Sequence, residues 1–334
     1  MTNPSSEPPR RPGEFELIAR YFAPLAARSP GAFGLADDAA FLRIPPGHEL
    51  VVTVDALVES VHFLRDDPAE AIAAKLLRVN LSDLAAKGAV PTGYLLALSL
   101  PHWIGEPWLA RFAQGLGDDQ ERYSIGLLGG DTTATPGPLV ASITALGTVP
   151  AGTSVHRSGA KQDDLVFVTG TIGDAGAGLA VLRGADRYLA DSARAALVAR
   201  YRLPEPRLAL GRRLLGIASA AIDVSDGLIA DLNHIAEASG VRIVVDAHRI
   251  PLSPVFMAVN GDQIGARIAA ATAGDDYEIA FSAPPESRGE IARIAAETGI
   301  AVSEIGQVET GSGTVLHDSK GQQIPLTRGG YVHF

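Results

Sequence analysis

Apolar positions recur at helical spacing near the start of the chain, at Phe15, Leu17, Ile18, Tyr21, Phe22 and Leu25. That spacing predicts an amphipathic helix opening the fold. Residues 50–54 form a short β-rich run, and 68–87 read as a helix closed by Gly88 and Pro91. Strand candidates follow at 94–100, 125–128 and 140–149, with a helical stretch at 107–120 among them. Polar residues and turn formers then cluster from 150 to 164, which places a domain boundary there. Beyond it, strands at 165–169, 220–224, 241–245 and 278–281 are interleaved with helices at 228–239 and 288–298. A glycine-rich turn at 170–176 opens a further helix. Strands alternating with helices define an α/β (α+β) chain. The expected division is an N-terminal sheet-plus-helices domain over 13–150 and a C-terminal α/β domain over 151–334. Residues 1–12, rich in Pro, Ser and Arg with no apolar stretch, are expected to form a disordered tail rather than a signal peptide.

Composition narrows the picture. A length of 334 residues suits about two domains. The absence of cysteine excludes disulfides, thiolate metal sites and cysteine nucleophiles. A formal net charge of -10 argues against nucleic acid or an anionic membrane as partner. No run approaches the length of a membrane span, so a cytoplasmic protein is expected.

The acidic residues carry the chemistry. Aspartates stand at the ends of apolar runs beside Gly, Ser or Thr, in Asp37-Asp38-Ala39-Ala40, Thr53-Val54-Asp55, Asn80-Leu81-Ser82-Asp83, Gly129-Gly130-Asp131-Thr132-Thr133 and Asp223-Val224-Ser225-Asp226-Gly227. Gly274-Asp275-Asp276-Tyr277-Glu278 is a sixth such segment. A buried carboxylate costs several kcal/mol unless paired or metal-bound. Asp83 lies in a helix that is apolar nearly all round; it could pair with Lys87 one turn on, or face a metal. Any of the others could serve as a turn or helix-cap residue. As a set, hard oxygen ligands without sulfur or paired histidines point to Mg²⁺ or Ca²⁺. No EF-hand spacing is present, and Mg²⁺ usually works with phosphates, so phosphoryl chemistry leads. The chain has neither a Walker-type phosphate loop nor the protein-kinase motifs. Gly170-Thr171-Ile172-Gly173 could offer backbone N–H groups to phosphate, though tight packing explains its glycines as well.

These motifs in combination resemble the thiamine-monophosphate kinases of the aminoimidazole-ribonucleotide-synthetase superfamily. The likeness runs from Gly13-Glu14-Phe15 to Gly330-Tyr331-Val332-His333-Phe334 and includes Val61-His62-Phe63 and Arg157-Ser158-Gly159-Ala160. It implies a homodimer whose N-terminal sheets pair into a shared barrel, with several Mg²⁺ ions and ATP near the acidic cluster. Carried over by motif, Asp38, Thr53, Val54 (by its backbone oxygen), Asp55, Asp83, Asp131, Asp223 and Asp226 would hold metal. Gly130, Asp131, Arg157 and Ser225 would contact ATP, and His62, Asp275 and Tyr331 would contact thiamine monophosphate. Three positions depart from the family pattern: Gly34-Leu35-Ala36 before the aspartate pair, Val54 in place of a hydroxyl residue, and Arg328 where an aromatic is common. The acceptor, a phosphate monoester, is already ionised near neutral pH, so no general base is expected. Other readings are a purine-precursor ligase of the same superfamily, a selenophosphate synthetase, which the missing cysteine disfavours, and a non-catalytic Mg²⁺- or phosphate-binding protein.

Overall fold

The structure is a computed structural model and describes residues 12–185 and 189–331. The expected tail and the final Val332-His333-Phe334 therefore lie outside the described residues, apart from Pro12. The chain forms two compact units, one of residues 12–84 and 91–148, the other of 85–90 and 149–331. Among the described residues no helix is long and apolar enough to cross a membrane.

Unit 1 opens differently from the expected single helix. One turn of α-helix, α1 (Glu14–Leu17), passes into a π turn over Ile18–Phe22 and then 3₁₀ turns over Ala23–Arg28 and Pro30–Leu35. Pro24 has no N–H to give, and its ring would clash with a carbonyl one turn back, so an α-helix cannot run through it. Of the apolar positions that suggested a helix, Leu17 and Phe22 are buried, whereas Phe15 is 85 % exposed. The sheet of unit 1 comprises β1 (His48–Val58), β2 (Val90–Leu100), β3 (Leu127–Ala134) and β4 (Val140–Pro150), in the order β1-β4-β2-β3.

Two long helices complete unit 1, α2 (Ala69–Ala86) and α3 (Glu106–Tyr123). Residues 71–82 of α2 are buried on every side. Gly115 lets α3 close on α2: a Cβ there would lie 2.4 Å from the Glu70 carbonyl oxygen. A buried fork then ties the two helices, with Arg78 Nε and Nη2 donating to Asp119 at 2.7 and 2.8 Å.

Unit 2 is built on a sheet of seven strands: β5 (Leu165–Thr169), β6 (Ala220–Asp223), β7 (Arg242–Asp246), β8 (Ile279–Ala283), β9 (Val302–Glu309), β10 (Gly313–His317) and β11 (Gln323–Ile324). Their order is β11-β10-β7-β9-β5-β8-β6, antiparallel throughout except for the parallel pair β10 and β7. Side chains alternate across the strands and feed two cores. Val166, Val168, Ala220 and Ile222 join one core with Leu228, Leu232 and Ile235. Phe167, Ala221 and Phe281 join the other with Leu210, Ile291 and Ile294.

The helices of unit 2 are α4 (Asp174–Leu182), α5 (Asp191–Arg202), α6 (Leu208–Arg213), α7 (Leu228–Ser239), α8 (Pro254–Asn260), α9 (Ile264–Thr272) and α10 (Arg288–Thr298). Residues 85–90 are sewn into this unit: Lys87 Nζ donates to the Ala221 carbonyl at 2.9 Å, and Gly211 packs against the Ala85 carbonyl.

Candidate functional site

In unit 1, Gly129-Gly130-Asp131-Thr132 is not a loop after a strand but part of β3, which pairs in parallel with β2. Gly130 sits opposite Leu96 and Asp131 opposite Ala97. The glycine is required there, since a Cβ at Gly130 would lie 1.9 Å from the Leu96 carbonyl oxygen. Beside this strand runs the segment 36–41, which adopts no regular structure after three consecutive left-handed residues, Phe33, Gly34 and Leu35. Segment and strand line a cleft of about 230 Å³ that brings Asp37, Asp38, Gly130, Asp131 and Thr132 together. Asp38 and Asp131 are exposed on it.

The other candidates of unit 1 meet along β1. Period-2 alternation puts Thr53 and Asp55 on its half-buried face and Val54, 62 % exposed, on the opposite face. The Thr53 hydroxyl donates to the Asp83 carboxylate of α2. Asn80, one turn earlier, accepts the Asp55 N–H at 3.1 Å. Helix and strand are thereby locked in register, with both carboxylates near the same strand face. His62 follows β1 in a turn; its Nδ1 accepts the Val58 N–H at 3.0 Å, which leaves Nε2 as the protonated nitrogen of the neutral ring.

In unit 2 the candidates converge on the segment 224–227, between β6 and α7. Two chain segments, 274–278 and the one ending at Tyr331, dock on its backbone through three N–H groups. The N–H of Asp275 donates to the Ser225 carbonyl at 2.8 Å, that of Tyr277 to Val224 at 2.7 Å, and that of Tyr331 to Asp226 at 2.8 Å. Gly274 and Gly330 allow the approach, since Cβ atoms there would lie 2.5 and 2.3 Å from the Ser225 and Asp226 carbonyl oxygens. Asp275 and Tyr277 both hold positive φ, 68° and 51°, uncommon for residues with side chains. Asp223, Ser225, Asp226, Asp275 and Tyr331 are thus gathered at one end of α7. Arg157 is not: its carbonyl accepts from Ser239 Oγ, at the far end of the same helix. At about 1.5 Å per residue that is roughly 17 Å along the axis.

Two carboxylates to which the sequence assigned no role support this cluster. Asp231, buried in the first turns of α7, accepts the N–H groups of Ser225, Asp226 and Gly227 on its Oδ2 at 3.0, 3.0 and 3.2 Å. Burial, then the neighbouring charge of Asp226, pushes its carboxyl up to about 7 against the pull of those donors. Glu278, 0 % exposed, accepts from Thr169 Oγ1 at 2.6 Å, from Arg200 at 2.9 Å and from both Nε and Nη2 of Arg207 at 2.6 and 2.5 Å. Between them in chain position, Asp276 accepts the Gly173 N–H and is held well above the usual carboxylate range by burial. The criterion that singled out Asp83, a carboxylate inside an apolar helix, applies equally to Asp231.

Among the described residues no three His, Asp or Glu side chains converge closely enough to form a ready metal cage. The donor set nonetheless fits Mg²⁺. It consists of carboxylate and hydroxyl oxygens, and Mg²⁺ is usually held by one or two carboxylates with phosphate and water completing its shell.

Each unit sets a sheet against helices and carries clustered aspartates. The AIR synthase related N-terminal domain matches residues 36–149 and the corresponding C-terminal domain residues 161–319, so the chain belongs to the AIR synthase related family. Within it, the chain is 45 % identical over 333 residues to thiamine-monophosphate kinase of Caulobacter vibrioides, covering 99 % of this chain and 92 % of that protein. The crystal structure of thiamine-monophosphate kinase from Stenotrophomonas maltophilia is similar at a TM-score of 0.83 and 40 % identity, over 93 % of this chain and 98 % of that one. AaThiL complexed with AMPPCP and TMP is similar at a TM-score of 0.76 and 31 % identity, over 91 % and 97 %. At such identity over nearly the full length, the chain is a kinase.

Proposed function

We propose that this kinase transfers the γ-phosphate of ATP directly to the phosphate of thiamine monophosphate, giving thiamine diphosphate. The observation that carries the reading is the likeness, over nine-tenths of the chain, to AaThiL holding AMPPCP and TMP. Mg²⁺ bound with the phosphates would neutralise the repulsion between two anions, the main obstacle to this transfer. In unit 1, Asp38, Thr53, Asp55, Asp83 and Asp131 are the residues to hold it, with Val54 able to offer only its backbone oxygen. In unit 2 they are Asp223 and Asp226. Gly130, Asp131 and Ser225 are assigned to ATP, as is Arg157, whose backbone lies at the opposite end of α7 from Ser225 and whose side chain would have to span that distance. His62, Asp275 and Tyr331 are assigned to the acceptor. No residue need act as general base, because the attacking oxygen belongs to an already ionised phosphate.

The domain division at 13–150 and 151–334 assigns these roles to two successive parts of the chain. A homodimer formed through the N-terminal sheets accompanies the reading. Edge strand β1 supports it by presenting Leu50, Val52 and Val54 to solvent at 42, 55 and 62 % exposure, an apolar edge that monomers usually blunt. Light scattering is expected to give twice the chain mass at micromolar concentration, and a monomer would refute the pairing.

The decisive experiment couples ADP release to a spectrophotometric readout with ATP and Mg²⁺, with and without thiamine monophosphate, and identifies the product by chromatography. Thiamine diphosphate formed in step with ADP is the expected result. ADP release indifferent to thiamine monophosphate would refute the reading.

A further inference from the structure

The segment 224–227 of unit 2 uses its backbone in two directions. Inward, the N–H groups of Ser225, Asp226 and Gly227 all donate to a single oxygen, Oδ2 of Asp231. Outward, the carbonyls of Val224, Ser225 and Asp226 accept from Tyr277, Asp275 and Tyr331. Each peptide plane is rigid, so the direction of an N–H fixes that of the carbonyl one residue earlier. Holding the Asp226 N–H toward Asp231 therefore aims the Ser225 carbonyl at Asp275. Holding the Gly227 N–H aims the Asp226 carbonyl at Tyr331. Gly227, at φ 122°, adopts a conformation that side-chain-bearing residues rarely enter, so the chain has no intrinsic preference holding it in place. The anchor must come from outside the segment, and Asp231, 2 % exposed, is the group that touches all three N–H groups.

We propose that Asp231 is a positioning residue: by fixing the three peptide planes of 225–227 it sets the placement of Asp275 and Tyr331 together with that of Ser225 and Asp226. One buried carboxylate then aligns the groups assigned to the acceptor with the groups assigned to nucleotide and metal. The kinetic part of this inference rests on the proposed function; the geometric part does not. A purely structural role would cost stability and leave the folded enzyme's kinetics alone. A positioning role moves the Michaelis constants of both substrates at once, because both sets of groups hang from the same segment.

The test uses the full-length protein and two variants. Asp231→Asn keeps an oxygen acceptor of the same shape but loses the charge that strengthens its bonds. Asp231→Leu keeps the bulk and removes the acceptor. Asp231→Leu is expected to raise the apparent KM for ATP and for thiamine monophosphate each about tenfold or more. Asp231→Asn is expected to recover most of that loss while staying about two- to fivefold above the original in both. Amide hydrogen exchange, read without substrates, is expected to quicken in Asp231→Asn not only at 225–227 but also at Asp275 and Tyr331.

A folded Asp231→Leu variant with unaltered KM for both substrates would overturn the proposal. If that variant does not fold, unaltered constants in Asp231→Asn would overturn it instead. So would faster exchange confined to 225–227. Should the unsubstituted protein make no thiamine diphosphate, the functional reading fails, and the exchange measurement alone still decides whether Asp231 governs Asp275 and Tyr331.

Discussion

Replacing Glu278 by alanine is the most direct way to ask what holds the Asp275 segment in place. The side chain is fully buried, and four donor groups converge on its two oxygens: the Thr169 hydroxyl, one nitrogen of Arg200 and two of Arg207. Removing it leaves two guanidinium groups, each only about one-fifth exposed, facing the cavity of the carboxylate they share. Breaking a buried pair from one side costs about 3–5 kcal/mol. For a unit of this size each kcal/mol lowers the melting temperature by about 2–4 °C, so Glu278→Ala should lose roughly 6–20 °C in calorimetry. Glu278→Gln, which keeps the volume and one acceptor oxygen, should lose about half as much. Arg200→Met should lose least, because Arg207 retains the bidentate fork. The functional consequence follows from position: Glu278 ends the 274–278 segment, and its carbonyl accepts the Val224 N–H at 2.8 Å. A shift below about 2 °C for Glu278→Ala would refute the reasoning, since it would mean that the two arginines find other partners at no cost.

Three further outcomes are expected. Asp55→Asn and Asp131→Asn should each abolish most turnover with unchanged circular dichroism, and unaltered turnover at saturating Mg²⁺ would remove both from the metal set. His62→Ala and Asp275→Ala should lower kcat/KM about ten- to hundredfold through the KM for thiamine monophosphate rather than that for ATP, and equal effects on the two substrates would remove these residues from acceptor recognition. Asp276, kept protonated by burial, retains a proton that the unfolded chain sheds above its ordinary carboxylate range, so the stability it lends declines as pH rises toward its folded value. The melting temperature of Asp276→Asn relative to the original should therefore climb as pH rises above the ordinary carboxylate range, and a constant difference would show that Asp276 does not titrate in this way.

Much of the architecture was legible because period and punctuation agree. The strand at 165–169 and the helices at 228–239 and 288–298 carry plain apolar periodicity between turn formers, and they form as read. Local signals failed where a partner decides. Nothing in Gly129-Gly130-Asp131 favours a strand, yet pairing with β2 makes it one. The alanine- and arginine-rich stretch from 191 to 213 has little contrast between faces, and its two helices went unread. The aspartates beside Gly, Ser or Thr could be named from their neighbours in sequence, although Asp55 and Asp131 lie within strands rather than at strand ends. Their supports could not: Glu278 meets Arg200 and Arg207 across more than seventy positions, and no short motif records such a contact.

The six-residue stretch at 85–90 bears on how the chain can be made and cut. It belongs to unit 2, but residues 91–148 of unit 1 are synthesised before the rest of its partners appear. During synthesis the seam formed by Lys87 with Ala221 must therefore wait for a long intervening loop to close, a delay of the kind that slows folding more than it weakens the finished fold. The same stretch defeats the obvious dissection. A fragment beginning at residue 149 would lack the ammonium group on the Ala221 carbonyl and the backbone against which Gly211 packs. Such a fragment would expose part of the core beside its own central sheet and tend to aggregate.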